Sequence, residues 1–189
     1  MDVNVSAKRF FEDFNKITLD NEATTLYQSE TPYTEYVTEK ICEQMGKYGF
    51  RSMKEYYRID VIGYASHYNL IENKEDAPII PYAWDLKIAV EHENKNNCWM
   101  DEVVKLAHIS CDLRVVIGYL PMKKRENGED EKCLEYIVDV MKKHCKCYEN
   151  LKNNEFMIII GNSNTKRPEE FFNYKGYVFN SLTEKFELI

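Results

Sequence analysis

The length, composition and charge of the chain limit the kind of protein it encodes. Its 189 residues are 44% hydrophobic, which is enough apolar material for the core of one domain. No apolar run approaches the roughly 18–20 residues that span a bilayer, so the sequence excludes an integral membrane protein. The N-terminal segment carries charges inside any apolar stretch, unlike a signal peptide, and we therefore expect a cytoplasmic protein. The net charge of −7 excludes a protein held to nucleic acid by bulk charge alone.

The first third of the chain contains two helical patterns. Residues 5–17 carry one apolar stripe, formed by Phe10, Phe11, Phe14 and Ile17. Residues 34–48 follow Pro32 and carry a second stripe, formed by Val37, Ile41, Met45 and Tyr48. Apolar residues at this spacing lie on one face of a helix, so the sequence predicts two helices that each pack one face on a core.

The rest of the chain alternates between predicted strands and helices. Runs of β-branched and aromatic residues predict strands at 53–64, 84–94, 113–120 and 156–161, and two short strands within 174–189. Helical periodicity predicts helices at 98–110 and 129–150. This order predicts an α/β fold with a mixed central sheet flanked by helices. We expect a single domain over 1–189, with a helical arm at about 1–30, a core at about 34–162 and a strand pair at 174–189.

Three acidic residues lie within or at the end of predicted strands. Asp60 interrupts the apolar run RIDVIGY, and Glu91 and Glu93 end the run IAVEHEN. Glu91 and Glu93 are two residues apart and point to one face, which leaves Val90 and His92 on the core side. Clustered carboxylates need protons or a cation, and oxygen ligands suit Mg²⁺, with Mn²⁺ as a substitute. The pattern predicts a metal site that activates water and stabilises phosphate charge, or else a solvated sheet edge.

The arrangement of these acids resembles that of the PD-(D/E)XK nuclease superfamily, whose members have a restriction-endonuclease-like fold. The similar stretch runs from about 34 to 120, and the fragment WDLKIAVEHENKNNCWMDEVVKLAHISCDLRVVIGY carries most of it. The resemblance implies an αβββαβ-type core in which Asp60 and the acids of the next strand hold Mg²⁺. It further implies hydrolysis of phosphodiester bonds, with DNA favoured over RNA as the partner.

The acidic-x-Lys element of this superfamily has several possible registers here. Four segments match it literally, namely Glu72-x-Lys74, Asp85-x-Lys87, Glu93-x-Lys95 and Asp130-x-Lys132. The first and last lie in polar sequence, the second lies at a strand start, and the third needs the strand to continue past Asn94. We favour Glu91-x-Glu93, which puts Glu93 at the lysine position, where it binds the ion or acts as general base.

A lysine and a further acid complete the catalytic set that the resemblance implies. Lys105, in the following helix, replaces the missing strand lysine, and the alternative is a solvated side chain paired with Glu102. The helix before the hairpin adds Glu35, and the alternative is an acid favoured by the helix dipole.

Basic residues near strand ends are candidates for phosphate contacts. Two clusters follow predicted strands, and a further arginine shares a strand face with Asp60; the candidates are Arg58, Lys123, Lys124, Arg125, Lys166 and Arg167. The alternative is that these charges belong to solvated loops.

Three functions remain open from the sequence. The first is a Mg²⁺-dependent endonuclease acting on DNA, as a homodimer or with a partner subunit. The second is a catalytically weakened protein of the same fold that binds nucleic acid or protein. The third is an unrelated α/β protein whose acids form a solvated edge, and it predicts no effect of metal on stability.

Overall fold

The structure is a computed structural model that describes residues 5–18, 20–65, 85–94 and 99–189. Three helices come first: α1 (Ala7–Thr18), α2 (Asn21–Leu26) and α3 (Glu30–Lys47). Three strands follow: β1 (Phe50–Tyr56), β2 (Ile59–Ala65) and β3 (Leu86–His92). The remaining elements are α4 (Trp99–Ala107), β4 (Leu113–Pro121), α5 (Met122–Glu126), α6 (Glu129–His144), a 3-10 helix (Lys146–Lys152), β5 (Glu155–Ser163), α7 (Pro168–Phe171), β6 (Lys175–Asn180) and β7 (Lys185–Leu188).

The described strands form one seven-stranded mixed sheet whose spatial order is the chain order. β1, β2 and β3 pair antiparallel, β3, β4 and β5 pair parallel, and β6 and β7 extend the sheet antiparallel. Parallel neighbours need a crossover, and α4 and α6 supply the two crossovers. The prediction of an α/β fold with a mixed sheet is confirmed. The C-terminal ends of β3, β4 and β5 and the N-terminal end of β2 lie on the same side of the sheet. This side is called here the carboxyl edge.

Helices cover both faces of the sheet. On one face α1, α3 and α7 bury a cluster that includes Phe10, Phe14, Val37 and Ile41. On the other face α4, α6 and the 3-10 helix bury a cluster that includes Trp99, Val103, Leu106, Leu134 and Met141. The helix faces predicted to point inward therefore do so. The N-terminal helix α1 belongs to the first of these two clusters. It is also fixed to β5, because Ala7 N donates to Glu155 Oε2 at 2.6 Å.

The predicted strand at 53–64 is in fact a β-hairpin. β1 ends at Tyr56 and β2 begins at Ile59, and the two turn residues have positive φ, 48° at Tyr57 and 64° at Arg58. Two positive φ angles match a type I′ turn, for which Asn-Gly is the usual sequence. A Tyr-Arg pair lacks that signal, which is why the pattern predicts one continuous strand. The hairpin raises the number of strands before α4 from two to three.

Helix boundaries also differ from the sequence prediction. α3 begins at Glu30 and includes Pro32, because the first turn of a helix leaves its N–H groups without intrahelical acceptors. The short α2 was not predicted; its N-cap Asp20 accepts from Ala23 N at 2.8 Å. The helix predicted over 129–150 ends at His144 and continues as the 3-10 helix. Residues 66–84, which include Glu72 and Lys74, and residues 95–98, which include Lys95, lie outside the described residues.

None of the helices in the described ranges combines the length and apolar character needed to cross a membrane.

Two glycine substitutions test the packing of the sheet, because the same change has opposite effects at the two sites. A Cβ at Gly118 in β4 would lie 2.6 Å from Cβ of the fully buried Trp99, whereas one at Gly46 in α3 would meet no atom within 4 Å. We expect Gly118→Ala to lower the free energy of unfolding by about 1–3 kcal/mol through overpacking. Gly46→Ala should raise it by roughly 0.5–1 kcal/mol through helix propensity. Urea unfolding at 25 °C measures both, and a neutral Gly118→Ala would contradict the position of Trp99.

Candidate active site

Two acids face each other across the antiparallel pair formed by β2 and β3. The register pairs Val61 with Val90 and Ile62 with Ala89, which sets Asp60 opposite Glu91 at the carboxyl edge. Asp60 Oδ2 accepts a hydrogen bond from His92 N at 2.7 Å, which holds the carboxylate against β3. Glu91 is buried, with 3% of its surface exposed. The pairing of β2 with β3 thus joins two acids that are 31 positions apart in the sequence.

Lys105 reaches this acid pair from α4. Its Nζ lies 2.7 Å from Glu91 Oε1 and donates to Arg58 O at 2.9 Å. It also forms an ion pair with Glu102 within the same helix. Lys105 therefore contacts the strand acid Glu91 and the helix acid Glu102 at the same time. Lys105 binds the tip of the β1–β2 hairpin, the β3 acid and its own helix to one another.

The ionisation of the pair is governed by burial. Burial raises the pKa of Glu91 to about 8; Asp60 and Glu102 act in the same direction, and the Lys105 ammonium opposes them. Burial likewise raises the pKa of Asp60, against the hydrogen bond from His92 N. Burial lowers the pKa of Lys105, but the adjacent carboxylates of Glu102 and Glu91 outweigh it and the net shift is upward. Glu91 therefore favours a proton or an added cation at neutral pH, and the pKa of Asp60 is shifted in the same direction.

Hydrogen bonds compensate only part of the negative charge on the buried carboxylate oxygens. Among the described residues, Glu91 Oε1 and Glu102 Oε2 have no hydrogen-bond partner of acceptable geometry, although both lie beside the Lys105 ammonium. Buried carboxylate oxygens that rely on charge alone are costly. Both oxygens therefore depend on the positive charge of one ammonium group.

Glu93 does not join this pair in a metal cluster. Glu93 follows the end of β3 at His92, and its N–H still donates to Ile117 O of β4 at 2.9 Å. Within the described ranges, no three His, Cys, Asp or Glu side chains are arranged to hold one ion together. Mg²⁺ is often held by one or two carboxylates, with water and substrate phosphate as its other ligands. Asp60 and Glu91 alone therefore suit this ion.

Glu35 is exposed on α3, away from the strand acids. The side of α3 that meets the end of β3 carries Thr34, whose Oγ1 contacts Asn94 Nδ2. Asn94 Nδ2 also donates to Glu30 O at 3.1 Å. Because neighbouring helix residues are about 100° apart, a contact through Thr34 turns Glu35 toward solvent.

Four of the residues predicted to contact phosphate are exposed beyond the ends of β4 and β5. Lys123, Lys124 and Lys166 are exposed and follow the carboxyl ends of β4 and β5, on the same edge as the acid pair. Arg167 is also exposed there, and its guanidinium binds Glu170.

Two of the predicted arginine positions need correction. Arg125 is buried, with 6% exposure, and its Nη1 donates to Asn162 Oδ1 at 2.5 Å and to Asn173 O at 2.8 Å. The helix α5 turns this residue inward, so it has a structural role. Arg58 lies in the hairpin turn, so it does not share a strand face with Asp60; its side chain is exposed and its carbonyl accepts from Lys105.

A second buried polar cluster was missed by sequence reasoning. His92 Nε2 is hydrogen-bonded to Tyr119 OH at 2.9 Å, and Tyr174 OH lies 3.1 Å from Tyr119 OH and 2.8 Å from Tyr33 OH. Burial lowers the pKa of His92 to about 3, so the imidazole is neutral. The inward direction of His92 was predictable from strand alternation, but its partners come from α3, β4 and the segment before β6, which only the fold brings together.

No protein-family model, curated protein or solved structure matches this chain, so the functional argument rests on the geometry described above.

The raised pKa of Glu91 predicts that stability falls with increasing pH. The folded protein holds a proton on Glu91 up to about pH 8, whereas an unfolded glutamate releases it near 4.5, so this contribution is complete below pH 4.5 and is lost as pH rises to 8. His92 acts oppositely, but only below its ordinary value of 6.5. Between pH 6.5 and 8 we expect the unfolding free energy to fall by up to about 1.4 kcal/mol per pH unit for this proton.

Glu91→Gln should remove most of this slope, and urea unfolding at four pH values between 6.5 and 8 measures it. Glu12→Gln, at an exposed acid of α1, is the matched control and should keep the wild-type slope. An unchanged slope in Glu91→Gln would show that the carboxyl group is not buried as described.

Proposed function

We propose that the protein is a metal-dependent nuclease that hydrolyses phosphodiester bonds of DNA at Asp60, Glu91 and Lys105. One observation carries this proposal. Two acids on paired strands meet at the carboxyl edge, and an ammonium group from the next helix lies 2.7 Å from one of them. A cation bound between the acids and a phosphate beside the ammonium would satisfy charges that are otherwise poorly compensated.

The order of elements supports the same proposal. α3, β1, β2, β3, α4 and β4 follow one another as helix, three strands, helix and strand. This is the αβββαβ order that the resemblance to the PD-(D/E)XK superfamily implies, with the acids on the second and third strands. In this assignment Glu93 stands where the superfamily has its lysine, and Lys105 supplies the ammonium from α4.

Each residue of the site has its own role in the proposed hydrolysis. Asp60 and Glu91 would hold Mg²⁺ or Mn²⁺, and the bound ion would supply a Lewis acid for the charge that develops on the phosphate. Asp60 is oriented by the hydrogen bond from His92 N. Lys105 donates from Nζ to a phosphate oxygen, and Glu93, half-buried just beyond β3, accepts the proton of the attacking water.

The surroundings of the acid pair suit an extended anionic substrate. The exposed side chains of Lys123, Lys124 and Lys166 lie on the carboxyl edge and contact neighbouring phosphates in this proposal. Because the whole chain carries a net charge of −7, binding depends on this local group and weakens steeply with salt.

A specific observation favours a second candidate, a binding module without catalysis. The Lys105 ammonium already lies against Glu91 and partly replaces a metal ion as its counter-charge. A protein in which this ion pair is permanent would bind nucleic acid or protein through the same edge and would need no metal.

Metal-dependent stability separates the two candidates. A cation that binds only the folded state raises its stability, by about 1.4 kcal/mol at ten times the dissociation constant. We expect Mg²⁺ or Mn²⁺ at millimolar concentration to raise the melting temperature of the wild type and of Glu12→Gln. The same ions should have no effect on Asp60→Asn or Glu91→Gln. A wild type that does not respond to either ion would remove the basis of the nuclease proposal.

Lys105→Ala tests the role of the ammonium apart from metal binding. Because Lys105 competes with a cation for Glu91, the variant should keep or increase the metal-induced rise in melting temperature. Its cleavage of plasmid DNA should fall by about 100-fold or more, as when a charge-stabilising donor is lost. Lys185→Ala, whose Nζ pairs with Glu135 at 3.4 Å on the exposed surface, is the control and should cleave like the wild type. Equal cleavage by Lys105→Ala would exclude Lys105 from the reaction.

A further inference from the structure

A small pocket opens at the carboxyl edge, on the face of the sheet covered by α3. It has a volume of about 230 Å³, and four of its lining residues are aromatic: Tyr27, Tyr33, Tyr119 and Phe171. The rings of Tyr119 and Phe171 are stacked with centroids 5.2 Å apart, and Tyr33 meets Phe171 edge-on at 5.3 Å. Tyr33 and Tyr119 are almost fully buried behind this surface, and the half-buried ring of Tyr27 is left to contact a ligand, which favours a flat ring.

Amide side chains complete the lining of this aromatic pocket. They belong to Gln28, Asn94 and Asn164. Asn94 Nδ2 already donates to Glu30 O and contacts Thr34 Oγ1. Gln28 Nε2 donates to Tyr27 OH. The exposed amide of Asn164 offers a donor and an acceptor side by side, the arrangement that pairs with the edge of a nucleobase. Asn164 follows β5 directly, is exposed and has a φ of 58°, a conformation that asparagine adopts more readily than most residues.

Charge and size narrow the class of ligand. Among the described residues that line the pocket none is Lys or Arg, and the one acid is Glu30, so a phosphate or carboxylate has no counter-charge there. The volume of about 230 Å³ is below the roughly 300–1,000 Å³ typical of sites for drug-sized ligands. A neutral heteroaromatic ring system suits these limits, with any attached sugar left outside.

Two walls of the pocket are held in place before any ligand binds. Tyr174 OH lies within hydrogen-bonding distance of both Tyr33 OH and Tyr119 OH, at 2.8 and 3.1 Å, and His92 adds a bond to Tyr119 at 2.9 Å. Tyr27 OH donates to Lys166 O at 2.7 Å. A preformed pocket lowers the entropy lost on binding, which gives the missed hydroxyl cluster a function.

The pocket lies close to the proposed catalytic acids. Asn94 follows Glu91 by three residues, so their Cα atoms are at most roughly 11 Å apart. From this geometry we propose that the pocket binds one unstacked base of the nucleic acid strand whose backbone lies at Asp60 and Glu91. The inference rests on the proposed function, and it adds a base-recognition site to it.

The test uses free 2′-deoxynucleosides, which need neither metal nor cleavage. Deoxyadenosine, deoxycytidine, deoxyguanosine and thymidine are titrated into the full chain, and binding is followed by calorimetry and by saturation-transfer NMR. We expect at least one of them to bind with a millimolar dissociation constant. Tyr27→Leu should weaken it about 5- to 100-fold, the range for loss of one base–aromatic stack. Tyr27→Phe keeps the ring and should bind within about 2-fold of the wild type.

Asn164→Gly removes an amide without straining the backbone, because glycine accepts positive φ. It should weaken binding by about 5- to 10-fold, as expected for one net hydrogen bond. Asn127→Ala, at an exposed asparagine outside the pocket, is the control and should bind like the wild type.

The outcomes separate this proposal from the nuclease assignment. No binding of any nucleoside at about 10 mM, or equal binding by Tyr27→Leu and Asn164→Gly, would overturn the pocket assignment. Glu12→Gln, at an exposed acid of α1 outside the pocket, should bind nucleosides like the wild type. If binding depends on the pocket but DNA is not cleaved, the pocket assignment stands and the nuclease proposal fails.

Discussion

The antiparallel pairing of β2 with β3 is the constraint on which the candidate site depends. It sets Asp60 opposite Glu91, and α4 then covers both acids and brings Lys105 to within 2.7 Å of one of them. Two carboxylates in a covered position repel each other and lose hydration, so they destabilise the fold unless a proton or a cation is present. The same arrangement that weakens the fold is what makes this edge of the sheet suitable for binding a metal ion and a phosphate.

Because side chains alternate in direction along β3, the two faces of the sheet carry different polar groups. Glu91 points toward α4 and the Lys105 ammonium, whereas the next residue, His92, points toward α3 and a neutral network of tyrosine hydroxyls. The backbone N–H of His92 still orients Asp60, so one residue contributes to both sides. This arrangement allows a base to be held on one face while the phosphate backbone lies at the other, as the two proposals together require.

Much of the fold was predictable from local patterns. Helical stripes such as Val37–Ile41–Met45 and the buried strands at 113–120 and 156–161 depend on apolar periodicity, which tertiary contacts reinforced. The β1–β2 turn was not predictable, because Tyr57 and Arg58 adopt positive φ without the residues that usually signal it. Arg125 looked like a surface cation in its basic run, and only the orientation of a short helix shows that it is buried against Asn162.

By itself the sequence determined the class of fold and the strand positions of Asp60 and Glu91, because these follow from periodicity within single elements, whereas Lys105 was a candidate implied by the resemblance. The tertiary structure alone decided that Glu35 faces solvent. It alone also formed the tyrosine network and the aromatic pocket, whose members lie between positions 27 and 174. Such sites depend on the register and crossing of distant elements, and no pattern within one element encodes the position of another.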